Sequence, residues 1–294
     1  MALQTSGPIS ISDIKTELGS SSNSLRNLSA AAGFSTPDAM SEFYGYSAGE
    51  VNEYYWDFQE DSNGTRYTAN TPSESAAESM SFSMWVRPSW SAVDVNAIMF
   101  DLLLDASNRF FLIYDYGLNR FVWRYRSAGQ NFDRQWAMSS NSGVTGTSGN
   151  WHGSNRGSTN ADGFVHLAGS FNGSQSNASN AFKLYWNGQE MSNQVVANSN
   201  AKSDFPKQFL FIDVNGANTN ADRDAEFDNV AFWRDRILSA TDIQALYNNG
   251  VPATAAFVGQ ASGLDFEATY EGGSSNDTAG NWQLDYEGGN PNLY

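Results

Sequence analysis

Cysteine is absent from the 294-residue sequence, and histidine occurs only at positions 152 and 166. Without cysteine the chain has no disulfide framework, no thiolate metal site and no thiol nucleophile. Basic residues are also scarce, since 16 Lys and Arg stand against 32 Asp and Glu and give a net charge of -16 at pH 7. Nucleic acids and anionic lipids bind clustered cations, so we expect neither as a partner.

Long apolar runs are missing as well. No stretch of 18 apolar residues occurs, so the sequence predicts no membrane-spanning helix. The first eight residues carry neither a basic segment nor an apolar stretch, so they do not have the pattern of a secretory signal. These observations favour a protein that stays in the cytoplasm where it is made, or that leaves by another route such as packaging into a particle.

Aromatic residues make up 14% of the chain, and glycine contributes 26 residues. Nine short segments rich in aromatic or β-branched residues are each bounded by Gly, Asn, Asp, Ser or Pro, which is typical of strands. Little helix separates them, so we predict a mainly β fold, an antiparallel jelly-roll sandwich with a small N-terminal helical segment. The nine segments are 54–58, 80–86, 97–104, 110–116, 120–126, 164–171, 182–186, 209–214 and 226–233.

We divide the chain into an N-terminal helical attachment segment at 1–50, a sandwich at 51–255 and C-terminal strands or an arm at 256–294. The first segment is patterned as short helices, with Ser10 placed to cap the first of them and Thr36 the third. Helices of two turns are marginal alone, so we expect them to dock onto the sandwich, a symmetry mate or another protein. Their candidate attachment residues are Ile9, Ile11, Ile14, Leu18, Phe43 and Tyr44.

Two local signals stand out inside the sandwich region. Asn187 and Gly188 predict a tight hairpin turn. Ser239 is placed to cap a helix that carries Asp242 in its first turn and ends at Gly250.

Two carboxylates of one strand segment, Glu226 and Asp228, are candidates for a catalytic pair. Retaining glycosidases need two carboxylates about 5 Å apart. Glu226 and Asp228 provide the first two members of a Glu-x-Asp-x-x-Glu strand, but Ala231 or Phe232 takes the third place, and neither can act as an acid or base. A structural role at the sheet edge is therefore favoured for both carboxylates.

A serine hydrolase triad would have to use one of the two histidines. His166 lies in an apolar strand segment and His152 in a Gly/Ser/Asn-rich loop. Packing is favoured for the first and surface exposure for the second. The sequence therefore predicts a protein that is not an enzyme.

An acidic loop at 213–224 is the one candidate metal site, and Ca²⁺ is the only cofactor it suggests. Ca²⁺ takes six to eight oxygen ligands, and alternate Asn and Asp side chains direct several oxygens to one point. The Gly and Glu of a helix-flanked calcium loop are missing, so a solvated acidic loop is the alternative. The candidate ligands are Asp213, Asn218, Asn220, Asp222 and Asp224.

Tryptophans are the candidate carbohydrate-binding residues, because an aromatic ring stacks on the apolar face of a sugar. Trp151 stands out, since it lies in a loop of Gly, Ser and Asn. The alternative is that these rings fill the core or a subunit interface. The four candidates are Trp90, Trp123, Trp136 and Trp151.

Four phrases of the sandwich region resemble the laminin G-like, concanavalin A-like jelly-roll family and occur in the family's order. Phe164 replaces a usual Trp, and Asn229 stands where the family often has an acid. The resemblance covers roughly residues 50–255 and implies a lectin-like sandwich, with a structural ion pair between Arg236 and a carboxylate of the sheet and with a Ca²⁺ site at a loop rim. The phrases are SFSMWVRP at 81–88, GFVHLAGSFNG at 163–173, KLYWNGQEM at 183–191 and FDNVAFWRDRILSATDIQALYNNG at 227–250.

The first 47 residues resemble the N-terminal segment of many tailed-phage virion proteins. The phrase SGPIS at 6–10 is followed by SDI at 12–14, and SEFYGYS closes the segment at 41–47. The resemblance implies a non-enzymatic virion structural protein, assembled in the bacterial host cytoplasm as a head decoration or fibre, or as a tail or neck appendage. It also implies that residues 1–50 bind other virion proteins and that the chain forms a homo-oligomer, with a trimer expected by analogy.

Two alternatives stay open beside this interpretation. The first is a receptor-recognition lectin that binds a host surface glycan, with Ca²⁺ as its cofactor. The second is a glycan-degrading enzyme, which an assay for polysaccharide cleavage would detect.

Overall fold

Two antiparallel sheets dominate the protein, which is described from a computed structural model. We call them sheet A and sheet B, and each contains eight of the described strands. The predicted mainly β sandwich is thereby confirmed. The described residues are 3–4, 6–18, 20, 22–32, 34, 36–44, 56–58, 65–69, 79–90, 96–105, 108–127, 130–138, 150–153, 155–156, 159–160, 162–192, 194–199, 211–214, 225–269, 278–279, 282–285 and 292–293.

The strands follow one another along the chain with few helices between them. In chain order they are β1 Trp56–Phe58, β2 Thr65–Ala69, β3 Ser79–Pro88, β4 Ala97–Asp105, β5 Asn108–Asp115, β6 Arg120–Ser127, β7 Gln130–Ala137, β8 Val165–Asn172, β9 Phe182–Trp186, β10 Gln189–Glu190, β11 Gln194–Ser199, β12 Phe211–Val214, β13 Ala225–Arg234, β14 Leu264–Ala268, β15 Trp282–Asp285 and β16 Asn292–Leu293. The helices are α1 Ile11–Glu17, α2 Leu25–Ala31, α3 Ala178–Ala181 and α4 Ala240–Tyr247, with 3₁₀ turns at Met40–Phe43 and Asn248–Gly250. Sheet A has the strand order β10-β9-β8-β3-β13-β1-β16, with β14 also paired to β13, and sheet B has the order β11-β7-β6-β5-β4-β12-β2-β15.

The main core lies between the two sheets, because alternate residues of each strand point inward. In β3, Phe82 and Met84 are fully buried within this core. In β6, Trp123 points into the same core from sheet B. Its ring meets Phe82 edge-on, with the ring centroids 5.0 Å apart. Contacts of this kind hold the two sheets face to face.

A segment at 235–263 that contains α4 covers the outer face of sheet A. Trp233, Ile243 and Leu246 form part of a second buried apolar cluster between α4 and the sheet. The Ser81 hydroxyl ties this segment to β3, since it donates to the carbonyl of Arg236 at 2.8 Å and accepts from another main-chain N–H of the segment. The central strands β3, β8 and β13 of sheet A are therefore buried on both faces.

The predicted cap of α4 is confirmed. Ser239 accepts from the backbone N–H of Asp242, whose carboxylate accepts in turn from the N–H of Ser239 at 2.8 Å. The structure corrects the expected partner of Arg236, because its guanidinium lies 3.7 Å from Asp242 on the helix and not beside a sheet carboxylate. The same guanidinium donates to the Ser262 carbonyl at 2.7 Å, and this bond joins the two ends of the segment at 235–263.

The hairpin between β9 and β10 has the predicted turn. Asn187 and Gly188 both have positive φ, at 49° and 76°. These values match a type I′ turn, whose twist suits two antiparallel strands.

C-terminal strands pair within both sheets. β14 and β16 pair in sheet A, with β13 and β1 respectively, and β15 pairs with β2 in sheet B.

The N-terminal helices form a small unit with its own apolar core. Ser10 caps α1 as predicted, through a reciprocal pair of bonds with Asp13. The third helix is only a 3₁₀ turn, and it begins after Ala39 and not after Thr36 as predicted. The Glu42 carboxylate accepts from the backbone N–H of Ala39 and so caps the start of this turn. Within the described part of the chain, no helix is long and apolar enough to cross a membrane.

Candidate functional site

The four tryptophans proposed to stack on sugars are all buried. Trp123, Trp136 and Trp151 have no exposed surface, and Trp90 is 4% exposed. The Trp90 indole donates to the Trp151 carbonyl at 3.0 Å, and the two rings meet edge-on. No ring face is open to a ligand, so the carbohydrate-binding prediction for these residues is wrong and the core interpretation is correct.

The candidate metal loop lies mostly outside the described residues. Asp213 belongs to β12, where its backbone pairs in register with Asp101 of β4. The other four candidates, Asn218, Asn220, Asp222 and Asp224, lie in the part of the chain that the structure does not describe. Among the residues it does describe, no group of three His, Asp or Glu is arranged to hold a metal ion.

The N-terminal attachment residues pack mainly against one another. Ile14 and Phe43 are fully buried, and three of the other candidates, Ile9, Ile11 and Leu18, pack around them. Tyr44 is 44% exposed, and its hydroxyl donates to the Gly7 carbonyl at 2.6 Å. The prediction of an apolar attachment surface is therefore corrected, because most of these side chains stabilise the unit itself.

A serine and a histidine meet under α4. Ser83 Oγ lies 2.8 Å from His166 Nε2. Burial lowers the pKa of His166 to about 3, so the ring is neutral at physiological pH. Its Nδ1 has no hydrogen-bond partner among the described residues, so the carboxylate of a triad is missing. The ring also lies between Trp85 and Tyr247, with no access for a substrate.

The two carboxylates of β13 are engaged in structural contacts. Arg87 donates to Glu226 through its Nε. Asp228 accepts from the backbone N–H of Asn229 at 2.7 Å and is 1% exposed. Neither carboxylate lies in an open cleft between described residues, as a glycosidase pair would.

The outer face of sheet B carries a polar cluster that the sequence did not predict. We call it the arginine–aspartate face, and its members are Asp101, Arg109, Phe111, Arg120, Arg124, Arg126, Asn131, Asp133 and Gln135. Strand register brings them together: Phe111 of β5 pairs with Asp101 of β4 on one side and with Arg124 of β6 on the other, and Arg124 pairs with Asp133 of β7. One row of side chains thus crosses four strands.

Two ion pairs flank the aromatic ring of this row. Arg109 makes two contacts with the Asp101 carboxylate. Arg124 Nε lies 3.1 Å from Asp133 Oδ2. The two guanidiniums also lie 4.7 and 5.7 Å from the centre of the Phe111 ring. The buried carboxylates and the ring therefore fix both arginines in place.

Polar atoms without partners lie beside these pairs. Gln135 is 7% exposed and donates to Asp133, but its Oε1 accepts from no described residue. Asn131 Oδ1 and Arg120 Nε are also buried without a partner among the described residues. Arg126 is exposed and pairs with no described carboxylate. Buried polar atoms normally have partners, so these three atoms are unusual. Arg126 is the exposed arginine of this face, and its guanidinium is accessible to a ligand.

The sequence carried a signal for this face that was missed. Positions 120, 124 and 126 are all arginine, and even spacing in a strand places them on one side of the sheet. The contribution of β4 and β7 needs the register between strands, which no local pattern supplied.

Comparison with known proteins gives a family match and several structural likenesses. Residues 61–244 match the profile of a laminin G-like family described as the concanavalin A-like lectin/glucanases superfamily. No curated protein matches the sequence. A native heptameric SAP-like pentraxin from Limulus polyphemus is similar at 10% identity and a TM-score of 0.44, over 81% of this chain and 97% of that one.

Two binding domains of bacterial proteins are similar as well. The binding domain of botulinum neurotoxin serotype D has 13% identity and a TM-score of 0.46, over 69% of this chain and 44% of that one. The binding domain of Paraclostridial Mosquitocidal Protein 1 has 14% identity and a TM-score of 0.43, over 68% and 53%. This chain therefore spans about half or less of the length of these two chains.

Proposed function

The chain belongs to the concanavalin A-like lectin/glucanases superfamily, and we propose that it is a non-enzymatic virion structural protein that displays the lectin-like sandwich of this family. In this proposal, residues 1–47 attach the chain to other virion proteins of a tailed phage, as a head decoration or fibre, or as a tail or neck appendage. The sandwich then faces outward, and the chains form a homo-oligomer that follows the symmetry of the particle.

The observation that carries the proposal is the separate core of the N-terminal unit. Ile14, Leu28 and Phe43 are fully buried there, and the apolar cluster around them contains no described residue of the sandwich. A unit with its own core is able to bind a partner while the sandwich remains free. The resemblance of the same residues to phage virion segments supplies the kind of partner.

The chemistry of the described residues supports a role without catalysis. The Ser83–His166 contact is buried under α4. The carboxylate of Glu226 is held by Arg87. Groups committed in this way are not free to transfer protons to a substrate.

Deletion of residues 1–47 is expected to abolish incorporation into particles and to leave the sandwich folded. The reason is that the deletion removes the whole apolar core of the N-terminal unit and removes no described residue of the sandwich core. Purified particles are probed for the protein by immunoblot, and the free protein is checked by near-UV circular dichroism.

Phe43→Ala, which opens the N-terminal core, is expected to reduce incorporation into particles. Ser41→Ala is the matched control, because the side chain of Ser41 is exposed. If the full chain itself is absent from particles, the virion proposal is wrong.

A second candidate function is a lectin that recognises a host surface glycan. The arginine–aspartate face favours it, because Arg126 is exposed there and its guanidinium donors pair with no described carboxylate. Sugar hydroxyls accept hydrogen bonds, so they are suited to these donors. The loop at 213–224 would bind the Ca²⁺ of such a lectin, as the family resemblance implies.

Arg126→Ala is expected to weaken binding to the host glycan by about tenfold, since hydrogen bonds from a charged group contribute roughly 1.5–3 kcal/mol. Binding of the purified protein to isolated host cell-surface polysaccharide is measured by biolayer interferometry, with and without EDTA to test the Ca²⁺ contribution. Arg26→Ala is the control, because Arg26 is an exposed arginine of the N-terminal unit, with a side chain that is 71% exposed. Equal affinities for the two variants would argue against this face as the site.

A further inference from the structure

A groove of about 750 Å³ lies between the end of α2 and the outer surface of α4. We call it the helix groove. Its walls include Ala32, which follows α2, Gly188 of the β9–β10 turn, Thr241 and Gln244 of α4, and Asn249 and Phe257 beyond that helix. It lies against the outer side of sheet A, whereas the arginine–aspartate face is the outer side of sheet B. The two sites are therefore separate.

The wall of the groove that belongs to the sandwich is held in a fixed position. The capping box of Ser239 and Asp242 fixes the start of α4. A Cβ on Gly188 would lie 3.1 Å from the Cβ of Tyr247, so the absence of a side chain lets the turn approach the helix closely. The segment after the helix is tied to Trp233, whose indole donates to the Gln260 carbonyl at 2.8 Å. This wall is therefore preformed, and binding to a preformed surface requires little ordering of the protein.

The chemistry of the lining is polar but uncharged. Among the described residues that line the groove, none has an ionisable side chain, although the chain as a whole carries a net charge of -16. The side chains of Thr241, Gln244 and Asn249 have no hydrogen-bond partner among the described residues. Phe257 adds an aromatic ring that is 41% exposed. Amides, a hydroxyl and one exposed ring complement the hydroxyls and the C–H face of a sugar.

We propose that the helix groove binds a neutral saccharide. The ring of Phe257 stacks on the apolar face of one sugar, while Gln244, Thr241 and Asn249 bond its hydroxyls. An uncharged ligand is favoured because no cation in the lining compensates a carboxylate or sulfate, and the net negative charge of the chain repels one. Its volume lies within the range of about 300–1,000 Å³ that is usual for ligand pockets.

The position of Ala32 gives the site a further property. This residue belongs to the N-terminal unit, and the opposite wall belongs to the sandwich. A bound saccharide thus contacts both units and stabilises their arrangement through binding.

The test is a titration of the full chain with uncharged tetrasaccharides, namely chitotetraose, maltotetraose and mannotetraose, and with a galacturonate tetramer as the charged comparison. Isothermal calorimetry is expected to detect saturable binding of at least one neutral probe and none of the charged one. Phe257→Ala and Ala32→Trp are each expected to lower that affinity by at least about tenfold, because the first removes the stacking ring and the second fills the groove.

Matched controls separate the groove from general effects. Leu118→Ala removes another exposed apolar side chain, which is 57% exposed, and Ala30→Trp adds the same ring to an exposed position of α2. Both controls are expected to bind like the natural sequence, and thermal unfolding confirms that all four variants fold.

Three outcomes would overturn the proposal. One is the absence of binding by every neutral probe. Another is binding that both groove variants retain. The third is binding that Arg126→Ala abolishes and the groove variants do not, which assigns the saccharide to the arginine–aspartate face and leaves the lectin function standing. Loss of particle incorporation bears on none of these results, so the virion proposal fails or stands by itself.

Discussion

Replacing Gly169 with alanine is expected to lower the free energy of unfolding of the sandwich by about 3 kcal/mol, and valine is expected to prevent folding. A Cβ at this position in β8 would overlap the ring of Trp123 from sheet B. It would also lie 2.7 Å from Phe82 Cε1 and 2.9 Å from the carbonyl oxygen of Lys183. Backbone and two large rings surround the site, so the added carbon has no free direction. Urea unfolding followed by tryptophan fluorescence measures the effect.

A double-mutant cycle tests the cause of this destabilisation. Trp123→Phe shortens the ring that fills the space, so Gly169→Ala is expected to cost less in that background than in the natural sequence. Gly259→Ala is the control, since a Cβ there meets nothing within 4 Å and only the positive φ of 75° opposes it. Additive losses in the cycle, or a Gly169→Ala protein as stable as the natural one, would contradict the packing argument.

Acidification is expected to destabilise the protein well above the pH at which carboxylates titrate. Burial lowers the pKa of His166 from 6.5 to about 3. Between these values the unfolded chain binds a proton that the folded chain does not, so stability is complete above pH 6.5 and falls as the pH decreases. The slope is about 1.4 kcal/mol per pH unit, which amounts to roughly 2–3 kcal/mol between pH 6.5 and 4.5.

The variant His166→Gln is expected to remove this slope, because glutamine does not titrate and is able to bond Ser83. His152→Gln is the matched control, since it removes the other histidine of the chain. Thermal unfolding at half-unit steps from pH 7 to pH 4.5 gives the slopes. Equal slopes for the natural protein and for His166→Gln would show that a different group causes the acid effect.

Local patterns in the sequence predicted the elements of this protein well. The alternation of Ser81, Phe82, Ser83 and Met84 predicted β3. The Asn187–Gly188 pair predicted a turn whose two positive φ angles the structure confirms. Signals of this kind depend only on residues close in the chain, and they need no knowledge of the partners across the sheet.

Partners across the sheets could not be predicted in the same way. The sequence left Trp123 open between core and sugar, and its burial follows from the register that sets it with Phe121 and Tyr125 on the inner side of β6. The ion pair of Arg124 with Asp133 likewise depends on the pairing of β6 with β7. The helix groove needs Ala32 and Gln244, which are far apart in the chain, to face each other. Such features arise only when the elements pack.

The small core of the N-terminal unit has a consequence for how the protein opens. Its three fully buried side chains, Ile14, Leu28 and Phe43, hold far less apolar surface than the sandwich core. Regions with few buried contacts open locally at low free energy, so the amide hydrogens of α1 and α2 should exchange with solvent long before those of β3 or β8. A partner that binds only the closed unit would slow this exchange, and the degree of slowing would measure the strength of the attachment in place.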